Sequence, residues 1–122
     1  MKNFAYRNAA VLLSAILTIQ SIASAHAFLD HADPKVGSEI VSAPAEVKIW
    51  FTQAIEPAFS SIQIYDAAGK EIDKKDSHVD ASDKKLLIVS LPATSSGKYK
   101  VVWHVVSVDT HRTQGDFKFT VK

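Results

Sequence analysis

Asp109 and His111 stand two apart in Ser107-Val108-Asp109-Thr110-His111, so in extended backbone their side chains project to one face, a carboxylate oxygen beside an imidazole nitrogen. By itself the pair is an ordinary turn composition. Its meaning changes if a distant histidine, His26, becomes the first residue of a mature chain, because a free N-terminal histidine offers its α-amino nitrogen and a ring nitrogen to one metal ion. The donor set would then be the amine and ring of His26, an oxygen of Asp109 and a ring nitrogen of His111. Three nitrogens and one oxygen in a plane suit Cu(II), which prefers tetragonal N,O sites and tops the affinity order for divalent first-row metals. Zinc, normally tetrahedral, fits less well. The amine, with a reference pKa of about 7.7 to 8.0, must lose its proton to bind, so copper affinity is expected to weaken as pH falls.

Whether His26 comes first is a question of processing. Lys2 and Arg7 form a basic start, Ala9 to Ile22 is largely apolar, and Ala23-Ser24-Ala25 fits the small-x-small cleavage pattern, which together read as a secretory signal peptide over residues 1–25. Ser14, Thr18 and Gln20 interrupt the apolar run, which is short for a membrane span of about 20 residues. No membrane insertion is expected once it is removed. Cleavage after Ala25 leaves a single domain, 26–122, of 97 residues (122 − 25). A cut after Ala27 also satisfies the rule, through Ala25-His26-Ala27, and would discard the histidine.

The signal segment carries two basic residues and no acid, so the mature balance is 12 basic (14 − 2) against 13 acidic, formally −1. Nothing in that balance suggests nucleic acid or an anionic membrane as a partner. The chain has no cysteine, which excludes thiolate metal sites, cysteine nucleophiles and disulfide exchange. An exported domain of this size must then be held by its hydrophobic core alone. Three further histidines complete the set. His31 lies beside Asp30 and Asp33 and reads as solvent-facing; His78 falls in a polar stretch; His104 points away from the face of Trp103, where a structural or supporting role is expected rather than ligation.

The elements that must position these residues are strands. Val47, Ile49 and Phe51 alternate within Glu46–Phe51, Ile62 and Ile64 within Ser60–Tyr65, and Tyr99, Val101, Trp103 and Val105 within Lys98–Val106, each at the period of a half-buried strand. Asp33-Pro34-Lys35-Val36-Gly37, Asp66-Ala67-Ala68-Gly69 and Thr94-Ser95-Ser96-Gly97 read as turns. Residues 70–85 read as a solvated loop or edge, and Leu86–Leu91 is too apolar for an exposed strand and belongs in the core. A turn over 107–115 then leads into Asp116–Val121, with Phe117, Phe119 and Val121 in register. No window of ten or more residues in the mature chain carries helical periodicity. The pattern predicts an all-β, immunoglobulin-like Greek-key sandwich of about seven strands. Tyr99, two after Gly97, is placed either as a tyrosine corner, its phenol tied to nearby backbone, or as a plain core aromatic.

His26-Ala27-Phe28-Leu29, Ala43-Pro44, Trp50-Phe51-Thr52, Glu56-Pro57-Ala58-Phe59-Ser60, Gly97-Lys98-Tyr99-Lys100-Val101-Val102-Trp103, Val106-Ser107-Val108-Asp109-Thr110-His111 and Gly115–Val121 resemble the CopC family of periplasmic copper-binding proteins. Trp103–Asp109 resembles its YobA branch in particular. The resemblance covers essentially the whole mature domain. It implies a Greek-key β-sandwich that binds Cu(II) through His26, Asp109 and His111 and serves copper resistance or delivery, often beside a CopD-type inner-membrane protein. Some members add a Cu(I) site in a methionine-rich loop; here the only methionine is Met1, and His78 would lack the soft partners Cu(I) prefers. Gln53 stands where many relatives carry a glutamate; it could hydrogen-bond near the metal but brings no charge. Two rival readings are a histidine-brace copper monooxygenase or oxidase and a metal-free structural sandwich. The first needs an open coordination position that the Asp109 carboxylate would fill, so a non-enzymatic protein is expected.

Overall fold

Alternation of buried and exposed residues runs the length of a long hairpin, strand β7 (Gly97–Val106) against β8 (Arg112–Val121). Tyr99, Val101, Trp103 and Val105 turn inward from β7, and Phe117, Phe119 and Val121 from β8. In the computed structural model, which describes residues 26–122, this hairpin belongs to one of two four-stranded sheets. The signal peptide expected over 1–25 lies outside the described residues. The remaining strands are β1 (Leu29–Asp33), β2 (Glu39–Ile40), β3 (Glu46–Phe51), β4 (Ser61–Tyr65), β5 (His78–Val79) and β6 (Leu86–Ser90). One sheet has the order β1-β3-β6-β5 and the other β2-β8-β7-β4. Only β5–β6 and β7–β8 pair strands consecutive in sequence, so the chain crosses repeatedly between sheets. All pairings are antiparallel except β2 with β8.

The core lies between the sheets. Val47, Ile49 and Phe51 from β3 and Leu87 and Val89 from β6 meet Ile62 and Ile64 from β4 and the inward residues of the hairpin. The sandwich is therefore as expected, with eight strands rather than about seven; β2 and β5 are two-residue strands too short to leave a period. The other difference is the start of the last strand. It begins at Arg112 and not at Asp116, and the turn closes within 107–111. Gly115 reads as a turn residue, yet it faces Trp103 across the hairpin, and a Cβ there would stand 2.5 Å from the indole Cζ2. A glycine inside a strand here marks close approach of a ring, not a break.

Tyr99 fills both roles left open for it: its ring is buried and its hydroxyl donates to the Ser95 carbonyl at 2.5 Å. Within the polar stretch 70–85, Asp73 is buried and accepts the N–H of Ile64 at 2.8 Å, and Ser77 Oγ accepts that of Ile62 at 2.9 Å. These side chains satisfy the outer edge of β4, so a strand edge that could template self-association is covered. Among the described residues no helix is long and apolar enough to cross a membrane.

Candidate metal centre

The segment before β1 is pinned at three points. Ala27 is fully buried, its carbonyl accepts from the Thr113 hydroxyl of β8 at 2.5 Å, and the next residue is tied to the end of β3. There the Phe28 N–H donates to Thr52 Oγ1 at 3.0 Å, and the Thr52 N–H donates to the Phe28 carbonyl at 2.8 Å. His26 is exposed at the mouth of this anchored segment.

The opposite wall is the tight loop 107–111 that closes the β7–β8 hairpin. The Ser107 N–H donates to the His111 carbonyl at 2.9 Å and the Thr110 N–H to the Ser107 carbonyl at 2.8 Å. The Val108 N–H reaches the Ala54 carbonyl at 3.1 Å, which docks the loop on the segment after β3. Thr110 takes φ +75°, a left-handed conformation that a β-branched residue adopts only when its surroundings impose it. Ser107 is the organiser: buried to 1% exposure, it donates its hydroxyl to Asp109 Oδ1 and accepts the His111 N–H at 3.3 Å. The Ser107 hydroxyl, with the His111 ring beside it, holds the Asp109 carboxyl below the usual carboxylate range, because a hydrogen bond to the charged form favours that form.

These two walls bring the three expected ligands to one end of the sandwich. The His26 and His111 rings lie with centroids 4.5 Å apart, tilted by 41°, and His111 Nδ1 is 3.2 Å from Asp109 Oδ1. Among the described residues no three His, Cys, Asp or Glu side chains form a ready metal-holding group. Coordination by this set would require the rings to turn about their side-chain bonds and a further donor to join them. Two imidazoles and one carboxylate form a borderline, nitrogen-rich donor set of the kind first-row transition metals take.

The other histidines lie apart from this cluster. The His31 ring stacks on Trp50 at 4.4 Å and 9°, with Nδ1 2.6 Å from Asp30 Oδ2. His78 Nδ1 is 3.0 Å from the Asp76 carbonyl. His104 is exposed on the outer face of β7, opposite Ser61 and Gln114, so it does not support the loop from beneath. Gln53 is exposed between Thr52, bonded to Phe28, and Ala54, bonded to Val108; it borders the same end of the molecule. Residue type and spacing do not mark Ser107, Thr52 and Thr113 as site residues. Ser107 carries only a local signal, since a serine two residues before an aspartate in a short loop favours local side-chain bonding. The two threonines act across the fold and leave no such local trace.

A two-sheet sandwich that presents two histidines and an aspartate at one end is a protein with a candidate metal centre. The CopC domain matches residues 29–122, and the chain belongs to the CopC family. It is 35% identical over 117 residues to Protein YobA of Escherichia coli K12, covering 95% of this chain and 94% of that protein. It is 31% identical over 131 residues to Copper resistance protein C of Xanthomonas campestris pv. juglandis, covering 98% and 99%. The crystal structure of CopC from Methylosinus trichosporium OB3b superposes with a TM-score of 0.75 at 34% identity, covering 80% of this chain and 94% of that one.

Proposed function

We propose that the chain is exported to the periplasm, cleaved after Ala25, and carries a single Cu(II) ion as a non-enzymatic protein of copper resistance and homeostasis. The amine and ring of His26, the Asp109 carboxylate and the His111 ring hold the ion, and a CopD-type inner-membrane protein is the exchange partner. One observation carries the reading. Residues 85 apart in sequence (111 − 26) have their rings 4.5 Å from each other, with a carboxylate alongside. Kinship to a relative named for copper resistance supports copper as the cargo. A carrier is favoured over a monooxygenase because the Asp109 carboxylate takes a position that an oxygen-activating centre leaves open.

The test is the intact mass of the exported protein followed by Cu(II) titration. A mass beginning at His26 and uptake of one equivalent are expected. An alanine placed before His26 converts the amine to an amide and should cost at least roughly a hundredfold in affinity, since even groups behind the ligands are worth about 10–100-fold. Full affinity in the extended protein rules out the amine. A mass beginning at Phe28 rules out the site.

A further inference from the structure

The outer face of the β2-β8-β7-β4 sheet carries a feature that copper binding leaves unexplained. Lys100 of β7 lies directly opposite Lys118 of β8, and on its other side faces Tyr65 of β4. Lys98 is the next outward residue along β7. Like charges directly opposed in an antiparallel pair are unfavourable for folding. Among the described residues no acid forms an ion pair with Lys98, Lys100 or Lys118. Asp66 Oδ1 accepts the N–H groups of Ala68 and Lys70 within its own turn, both at 2.9 Å. Glu39 pairs with Lys122 at 3.4 Å. Asp116 lies opposite Val102 and, among the described residues, makes no ion pair with any of the three lysines.

The three lysines frame a groove of about 530 Å³ whose lining also includes Tyr65, Asp66 and Val102. Tyr65, Val102 and the lysine stems supply its apolar lining, since lysines lay their stems along apolar surface and keep the charged end in water. We propose that this groove docks an acidic segment of a partner polypeptide, an aromatic or aliphatic side chain seated on Tyr65 and Val102 with flanking carboxylates on Lys98, Lys100 and Lys118. Charge complementarity selects an acidic partner, since it neutralises a lysine pair that the fold places in opposition. The concave apolar lining selects a polypeptide over a bilayer, because a flat array of headgroups cannot fill it. The groove lies at the far end of the β7–β8 hairpin from loop 107–111, so docking there leaves the copper end open. The proposal does not depend on how that end binds metal.

The exported protein, labelled with nitrogen-15, is titrated with the acetylated, amidated peptide Asp-Glu-Phe-Glu-Asp, with Asn-Gln-Phe-Gln-Asn as control, and separately with phosphatidylcholine vesicles containing phosphatidylglycerol. The acidic peptide is expected to shift amides around residues 65, 98–102 and 118, at least fivefold more tightly than the control. That preference should shrink as salt screens the charges. Lys100→Glu should remove the preference and raise the thermal midpoint, because it turns the Lys118 opposition into a cross-strand attraction. Loss of binding in a protein of higher stability cannot come from misfolding. Equal binding of both peptides, shifts mapping elsewhere, or vesicle binding without peptide binding overturns the proposal. Copper loading should change none of these results.

Discussion

Ser107 sets the chemistry of the candidate ligands without being one. Its buried hydroxyl bonds Asp109, and with the His111 ring it keeps that carboxyl deprotonated further into acid than an ordinary aspartate. A carboxylate whose folded pKa is depressed contributes stability that is present above its unfolded pKa and lost as pH falls through the folded one. Ser107→Ala should therefore raise the Asp109 pKa toward the usual range, seen in a carboxyl carbon NMR titration of the metal-free protein, and lessen the stability lost on acidification. Copper affinity should fall by about 10–100-fold, the scale for groups that orient a ligand. An unchanged Asp109 titration would show that His111 alone sets the carboxyl. Of the residues involved, Asp109 and His111 were legible from their spacing, and His26 from the signal pattern before it. Thr52 and Thr113, which fix the approach of residue 26, were not, because each bonds a backbone group distant in sequence.

Strand identity was written in the period-two pattern for β3, β4 and β7, and in an unbroken apolar run for β6, and all four fall within a residue of where those patterns put them. The start of β8 was hidden because Gly115 has two opposite uses, as a turn former and as the one residue that admits a ring against the backbone. Here the ring is Trp103, itself packed edge-on against Phe51 with centroids 5.1 Å apart. Gly115→Ala places a methyl 2.5 Å from Cζ2 and 2.9 Å from Cε2 of that indole, closer than real contacts allow, so the ring or the strand must move. A loss of about 1–3 kcal/mol, the usual cost of overpacking, is expected in urea denaturation followed by tryptophan fluorescence. Because β8 also carries Thr113, which holds the Ala27 carbonyl, the same variant should bind copper more weakly. Wild-type stability would mean that the indole has room to turn aside.

At the scale of the molecule, alternation says which face a residue takes and not which strand it joins. The orders β1-β3-β6-β5 and β2-β8-β7-β4 were therefore beyond the sequence pattern except for the final hairpin. That long-range pairing is what brings residue 26 beside residue 111, and it makes copper binding a property of the assembled sandwich. Copper that binds the folded state alone must stabilise it, by about 2.7 kcal/mol when free ion is a hundredfold above Kd. The proposed donor set also fixes how this coupling responds to pH. The amine must shed its proton to bind, with a reference value of about 7.7 to 8.0, whereas Asp109, held below the usual carboxylate range, is already ionised there. Affinity should be nearly constant above about pH 8 and fall about tenfold per unit between roughly pH 7.5 and 6.5 as protons compete for the amine. The thermal shift produced by copper should decline over the same interval. Competitive Cu(II) titrations from pH 5 to 9, paired with melting curves, measure both. The protein extended by one residue before His26 should lose this step, and a profile of the cleaved protein that is flat from pH 8 to 6.5 would remove the amine from the site.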